Sequence, residues 1–206
     1  MTRVKICGIT STQDAAAAMA AGADALGFVF VLDTPRYIRA EAAERIVAGP
    51  PPFLTTVGVF VNQALDEVLE IAARCRLQAV QLHGEEPEEI ARRIPVRVIK
   101  AIRVRNRESL RPVTTYPADA FLLDAYVEGK PGGTGSAFPW DLVAGITERA
   151  PIILSGGLRP DNVEAAIRRV RPYAVDVSSG VEVRPGEKDP QKVREFVAAV
   201  RRADID

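Results

Sequence analysis

The chain has 206 residues, 47% of them apolar and 26% charged, with 27 Lys+Arg against 27 Asp+Glu and a formal net charge of zero. That length suits one domain with its own core, and the balanced charge leaves no basic stripe for nucleic acid and no polybasic segment for a membrane surface. No apolar run approaches the roughly 20 residues that cross a bilayer, and Met-Thr-Arg-Val-Lys-Ile-Cys leads straight into a strand-like run, so no signal peptide and a cytoplasmic location are expected.

In chain order, short β-branched runs alternate with longer Ala/Glu/Arg-rich runs, the pattern of a parallel sheet with crossover helices. Strands are predicted at Val4–Cys7, Ala25–Phe30, Leu54–Phe60, Ala79–Leu82, Val96–Ile102, Ala120–Leu123, Ile152–Leu154 and Ala174–Val177. Helices are predicted at Thr12–Ala21, Ala40–Ala48, Ala64–Cys75, Pro87–Ile94, Trp140–Glu148, Asp161–Val170 and Pro190–Arg201, while Arg105–Leu110, flanked by proline, should make only a turn or two. Ser11 or Thr12 can cap the first helix, and Asp189-Pro190 puts proline at the first position of the last. No linker or low-complexity segment divides the chain. Eight β/α units therefore predict an α/β fold, a (β/α)8 TIM barrel forming a single domain over residues 1–206. A doubly wound open sheet is the rival, but it would want fewer strands and a crevice motif near the first turn. Cys7 and Cys75, the two cysteines, read as reduced thiols.

In a barrel of this kind the chemistry sits where strands end and βα loops begin. Those positions carry Cys7-Gly8, Phe30 onward to Pro35-Arg36, Phe60-Val61-Asn62, Gln81-Leu82-His83-Gly84, Lys100-Ala101, Asp124, Ser155-Gly156-Gly157 and Ser178-Ser179-Gly180, above strand bodies that are almost wholly apolar. Cys7 shares a strand face with Lys5 by the period of two, so an inward lysine would favour the thiolate that a base needs; buried packing is the competing reading of a cysteine. Asp124 follows Phe121-Leu122-Leu123 and must be solvated, paired or functional. Desolvation at the barrel mouth favours its protonated form, which suits a general acid; a loop or cap aspartate is the plain alternative.

Glycines at the ends of strands seven and eight point to phosphate, because backbone N–H groups can approach an anion there. Gly132-Gly133-Thr134-Gly135 reads as a mobile loop rather than a nucleotide loop. His83 alone is more often a hydrogen-bonded structural histidine than a base. Arg36 would either salt-bridge at the surface or clamp a carboxylate bidentately. No set of side chains has metal-ligand spacing, so no metal is indicated.

Together these blocks resemble the phosphoribosylanthranilate isomerase family along essentially the whole chain. The matching stretches are Lys5-Ile6-Cys7-Gly8-Ile9-Thr10, Gly22-Ala23-Asp24, Leu26-Gly27-Phe28, Pro35-Arg36, Val57-Gly58-Val59-Phe60-Val61-Asn62, Val80-Gln81-Leu82-His83-Gly84 and Leu123-Asp124. Further on come Gly132-Gly133-Thr134-Gly135 with Phe138 and Trp140, Gly156-Gly157-Leu158 with Asn162-Val163, Asp176-Val177-Ser178-Ser179-Gly180-Val181-Glu182, and Gly186 with Lys188-Asp189. Pro139 and Ser155 are small departures. The resemblance implies an Amadori rearrangement in tryptophan biosynthesis, with Asp124 as general acid and Cys7 as general base. It implies phosphate contacts from Gly156, Gly157, Ser178, Ser179 and Gly180, Arg36 at the anthranilate end, and Gln81, His83 and Asp176 lining the pocket. No cofactor is required, because the substrate nitrogen is the electron sink. The expected partner is a small phosphorylated substrate; a homodimer is expected if the source is thermophilic. The rivals are a histidine-pathway aminoaldose isomerase, which uses two aspartates, and an inactive barrel that only binds sugar phosphate.

Overall fold

The computed structural model describes residues 1–49, 51–125, 140–143 and 145–205. Strands β1 (Arg3–Cys7), β2 (Ala25–Val29), β3 (Thr55–Phe60), β4 (Ala79–Leu82), β5 (Arg97–Val104), β6 (Ala120–Ala125), β7 (Ile152–Leu154) and β8 (Ala174–Val177) pair in parallel in sequence order, and β8 closes on β1. The predicted (β/α)8 barrel is therefore the observed fold. Alternate residues of each strand divide between two apolar regions. Val4, Ile6, Val80, Val98 and Leu123 pack outward against the helices. Val57, Ala79, Ile99, Ala101, Leu122, Ile153 and Ala174 fill the barrel interior.

Around the strands lie α1 (Thr12–Ala21), α2 (Ala40–Val47), α3 (Leu65–Arg74), α4 (Glu88–Arg93), α5 (Pro112–Thr115), α6 (Val163–Val170) and α7 (Pro190–Ala203). Ser11 caps α1 by accepting from the Asp14 N–H at 3.0 Å, and Asp189 caps α7 with Pro190 in its first turn. The start predicted at Asp161 moves to Val163, because the Asn162 side chain accepts from Arg159 N–H and donates to the Gly157 carbonyl, holding the approach as a turn. Trp140–Val143 and Ile146–Glu148 are 3-10 turns rather than one helix, with Gly145 between them at φ 78°. A hairpin of β9 (Glu182–Arg184) and β10 (Glu187–Lys188) was not predicted. The glycine-rich stretch 132–135 lies outside the described residues.

Three strand pairs are stitched at the end of the barrel where the strands begin. Asp24, just ahead of β2, donates its N–H to the Val4 carbonyl and accepts the Val4 N–H through its side chain at 2.9 Å. Gln78 does the same to Thr56 of β3, and Asp119 to Val98 of β5. Each clasp grips one residue of the neighbouring strand from both sides, so a slip of register would break two hydrogen bonds at once.

Candidate active site

At the opposite end the polar strand termini converge on one pocket of about 210 Å³, lined among others by Cys7, Arg36, Gln81, His83, Asp124, Gly156, Gly157, Asp176, Ser178 and Ser179. All the candidate residues except Gly180 face it. A larger cleft of about 860 Å³ opens at the other end of the barrel, walled by Ala25, Val57, Ala79, Ile99 and Ala174 with the Arg3–Asp24 and Arg97–Asp119 ion pairs at its rim. Size alone would pick that cleft; the titratable groups and glycine loops pick the smaller one.

Cys7 is the last residue of β1 and is 7% exposed. Beneath it, inside the barrel, Lys5 is bound to Asp176 across the β1–β8 pair at 2.8 Å, and Ser155 donates to the other Asp176 oxygen at 3.2 Å. The inward lysine expected from the strand period is present, but its expected effect is not the one that prevails. Burial pushes the Cys7 thiol up; Lys5 pulls it down, Asp176 pushes it back, and Lys188 adds a smaller downward pull. Burial prevails, so the thiol is held above its ordinary value. Burial opposes the charge on Lys5, but its ion pair with Asp176 keeps the ammonium protonated, above the ordinary lysine value.

Asp124 lies within β6 rather than just beyond it, because the strand runs on to Ala125 in register with β5, pairing Arg103 with Asp124. His83 Nε2 stands 3.5 Å from its carboxylate, and the Gln81 amide is 2.9 Å from His83 Nδ1. With Gln81 donating to Nδ1, the imidazole proton falls on Nε2 and is directed at Asp124. Gln81 Oε1 and His83 Nε2 are both buried without a hydrogen-bond partner among the described residues. Buried polar atoms left so are costly, and a ligand hydroxyl would satisfy the Gln81 oxygen.

The loops after β7 and β8 touch. Gly156 and Gly157 take φ of 83° and 66°. Gly180 is packed so closely that a Cβ there would strike the Leu158 carbonyl. Only glycine lets the two backbones lie together, which places Gly156-Gly157 beside Ser178-Ser179. Gly180 thus serves from behind the pocket wall.

The sequence model describing N-(5′-phosphoribosyl)anthranilate (PRA) isomerase matches residues 4–199. The chain belongs to this family. An N-(5′-phosphoribosyl)anthranilate isomerase of Geobacter metallireducens is 56% identical over 197 residues, covering 96% of this chain and 98% of that protein. A phosphoribosyl anthranilate isomerase solved in complex with reduced 1-(o-carboxyphenylamino)-1-deoxyribulose 5-phosphate superposes with a TM-score of 0.89 at 45% identity, covering 98% of this chain and 99% of that one. Monomers generated from the dimeric phosphoribosylanthranilate isomerase of Thermotoga maritima superpose with a TM-score of 0.88 at 43% identity, covering 98% of this chain and 99% of that one.

Around this pocket the chain also carries residues to which sequence reasoning gave no role. Arg103 lines the pocket next to Asp124 in register; it lay one residue beyond the predicted strand. Lys100 and Glu86 form a buried pair at 2.8 Å, and Lys100 also donates to the carbonyl of Gly84 while Glu86 accepts from its N–H. That pair fixes the loop bearing His83, and a lysine amid the apolar Val98–Ile102 run was its sequence signal. Arg36 does form a salt bridge, but with the buried Glu182 rather than at the surface. Among the described residues no cluster of three or more His, Cys, Asp or Glu side chains is placed to hold a metal ion, and no helix is long and apolar enough to cross a membrane.

Proposed function

We propose that Cys7 and Asp124 are the base and the acid of the family's reaction, the Amadori rearrangement of N-(5′-phosphoribosyl)anthranilate to 1-(2-carboxyphenylamino)-1-deoxyribulose 5-phosphate in tryptophan biosynthesis. The observation that carries this reading is their placement: a thiol from β1 and a carboxyl from β6 face one pocket whose wall is the paired loops after β7 and β8. Asp124 gives its proton to the furanose ring oxygen; the ring opens and leaves a protonated imine. That cation makes the C2′ hydrogen acidic, and Cys7 takes it, giving an enolamine that tautomerises to the ketose. The thiol, raised by burial, gives up its own proton to solvent before this step, and the cationic imine then stabilises the thiolate that removes the C2′ hydrogen. His83, directed at Asp124, orients the carboxyl; Gln81 Oε1 accepts a ribose hydroxyl; Asp176 keeps Lys5 charged below Cys7.

Gly156, Gly157, Ser178 and Ser179 form the phosphate cradle, with Gly180 supporting it from behind, and Arg36 meets the anthranilate carboxylate. No cofactor enters these steps. The whole chain, 1–206, acts as one barrel domain in the cytoplasm. A homodimer is also proposed, supported by Phe53, 97% exposed at the rim of the large apolar cleft opposite the active site. The rival histidine-pathway substrate is tested by offering both aminoaldoses to the pure protein.

Cys7→Ser and Asp124→Asn are each expected to cut turnover by about 10²-fold or more. Inorganic phosphate should still inhibit the residual activity of both. Near-normal turnover in the two variants would overturn the acid–base assignment.

A further inference from the structure

The hairpin of β9 and β10 follows the proposed phosphate loop directly and folds back over the loops after β1 and β2. Its turn is pinned where Thr10 donates to the Gly186 carbonyl at 2.7 Å, and a Cβ on Gly186 would strike the carbonyl of Pro35. Lys188 N–H donates to Asp14 at 3.1 Å. At its base, Glu182 accepts from Arg36 Nε at 2.8 Å, from Arg36 Nη2 at 2.8 Å and from Lys188 Nζ at 2.8 Å, while Lys192 Nζ holds the Glu182 backbone carbonyl at 2.9 Å. Glu182 is 7% exposed and Lys188 3%.

A guanidinium has two edges that can grip a carboxylate in parallel, one made by Nε with one terminal nitrogen, the other by the two terminal nitrogens. Glu182 fills the first edge of Arg36. Among the described residues nothing bonds to the second, Nη1 with the outer hydrogen of Nη2. The cluster holds two cations and one anion, so a positive charge remains for an incoming anion. Burial opposes the charge on Glu182, but its bonds from Arg36 and Lys188 hold its carboxyl below the usual glutamate range.

We propose that Glu182 is a positioning residue: it locks the guanidinium of Arg36 so that its terminal edge is presented, already oriented, to the aryl carboxylate of the substrate. An arginine fixed beforehand loses little freedom on binding, whereas a loose one would lose several rotamers. Because β9 continues from Ser178-Ser179-Gly180, one short segment then sets both the carboxylate grip and the phosphate cradle. The proposal rests on the reading of Arg36 as the carboxylate contact.

The test uses two inhibitors of the full-length enzyme: reduced 1-(o-carboxyphenylamino)-1-deoxyribulose 5-phosphate, which carries both anions, and inorganic phosphate, which lacks the carboxylate. In Glu182→Gln the reduced product should bind about tenfold more weakly and KM should rise similarly, with kcat down no more than about threefold and phosphate inhibition within about twofold. Glu182→Asp keeps the charge beside Lys188 but cannot reach both Arg36 nitrogens, so it should show the same selective loss. In Arg36→Ala the loss should match or exceed that of Glu182→Gln, and the double variant should be no worse than Arg36→Ala. Full recovery in Glu182→Asp would overturn the proposal, as would equal weakening of both inhibitors or additive losses. If Arg36→Ala bound the reduced product normally, the Arg36 reading would fall and the proposal with it. If Arg36→Ala weakened it but Glu182→Gln did not, only the positioning role would fall.

Discussion

Lys5→Met removes the ammonium under Cys7 while leaving a side chain of similar length. A Cβ built on Gly27 would lie 2.8 Å from Cys7 Sγ and 3.1 Å from Lys5 Cε, so the sulfur and the end of the lysine chain crowd one point. At about 6 Å and an effective dielectric constant of about 20, unit charges interact by roughly 2.8 kcal/mol, or about two pH units. Other charged groups acting on the thiol are Asp176, which pushes it up, and Lys188, which pulls it down; Arg36 in turn feels the thiolate. The thiolate is the active form, so losing Lys5 should move the acid limb of kcat/KM by about two units to higher pH. The value of kcat/KM near pH 7 should then fall about 100-fold and recover about tenfold per pH unit.

The same change strands Asp176 in the interior, and breaking a buried pair costs about 3–5 kcal/mol of stability. Lys5→Met with Asp176→Asn removes both charges, so it should regain stability and return the limb part of the way. The assay is the decline of substrate fluorescence across a pH series for wild type, single and double variants, with urea unfolding alongside. A loss in Lys5→Met that is the same at every pH would refute the electrostatic reasoning.

Glu86 and Glu182 are held below their ordinary 4.5, with burial opposing and the bonds from Lys100 and Arg36 prevailing. Their contribution to stability is complete above the unfolded value and fades as pH drops through the lower folded ones; the urea midpoint should hold from pH 6 to about 5 and fall below about 4.5, and an unchanged midpoint at about pH 3.5 would contradict this. Sedimentation at micromolar concentration should report twice the 22.3 kDa chain mass, and Phe53→Ser should return it to a single chain; a wild-type monomer would sink the dimer.

Alternation of apolar strands with helical runs was enough to read the barrel, because parallel strands buried on both faces leave short, nearly continuous apolar runs. Strand ends located Cys7 and the glycine loops, since period two and loop position are local properties. Other features depended on pairing. Asp124 belongs to β6 only because β5 runs on to Val104 and offers it a partner. The β9–β10 hairpin is two to three residues a side, too short for any periodicity. The Arg36–Glu182 pair joins positions 146 apart, which no spacing rule reaches. For Cys7 the sequence carried the sign of the Lys5 effect, but the competing weight of burial is set by how much protein surrounds the sulfur.

The clasps made by Asp24, Gln78 and Asp119 have an evolutionary corollary. Alignment of neighbouring strands is keyed where the strands start, by side chains that never approach the substrate. The side chains of the rim where they finish are thereby less needed for holding the register, which there is kept by backbone bonds such as Phe30 N–H to the Val59 carbonyl. Residues there can be exchanged for new acids, bases or anion grips, and the scaffold can acquire a different chemistry without first surrendering its shape.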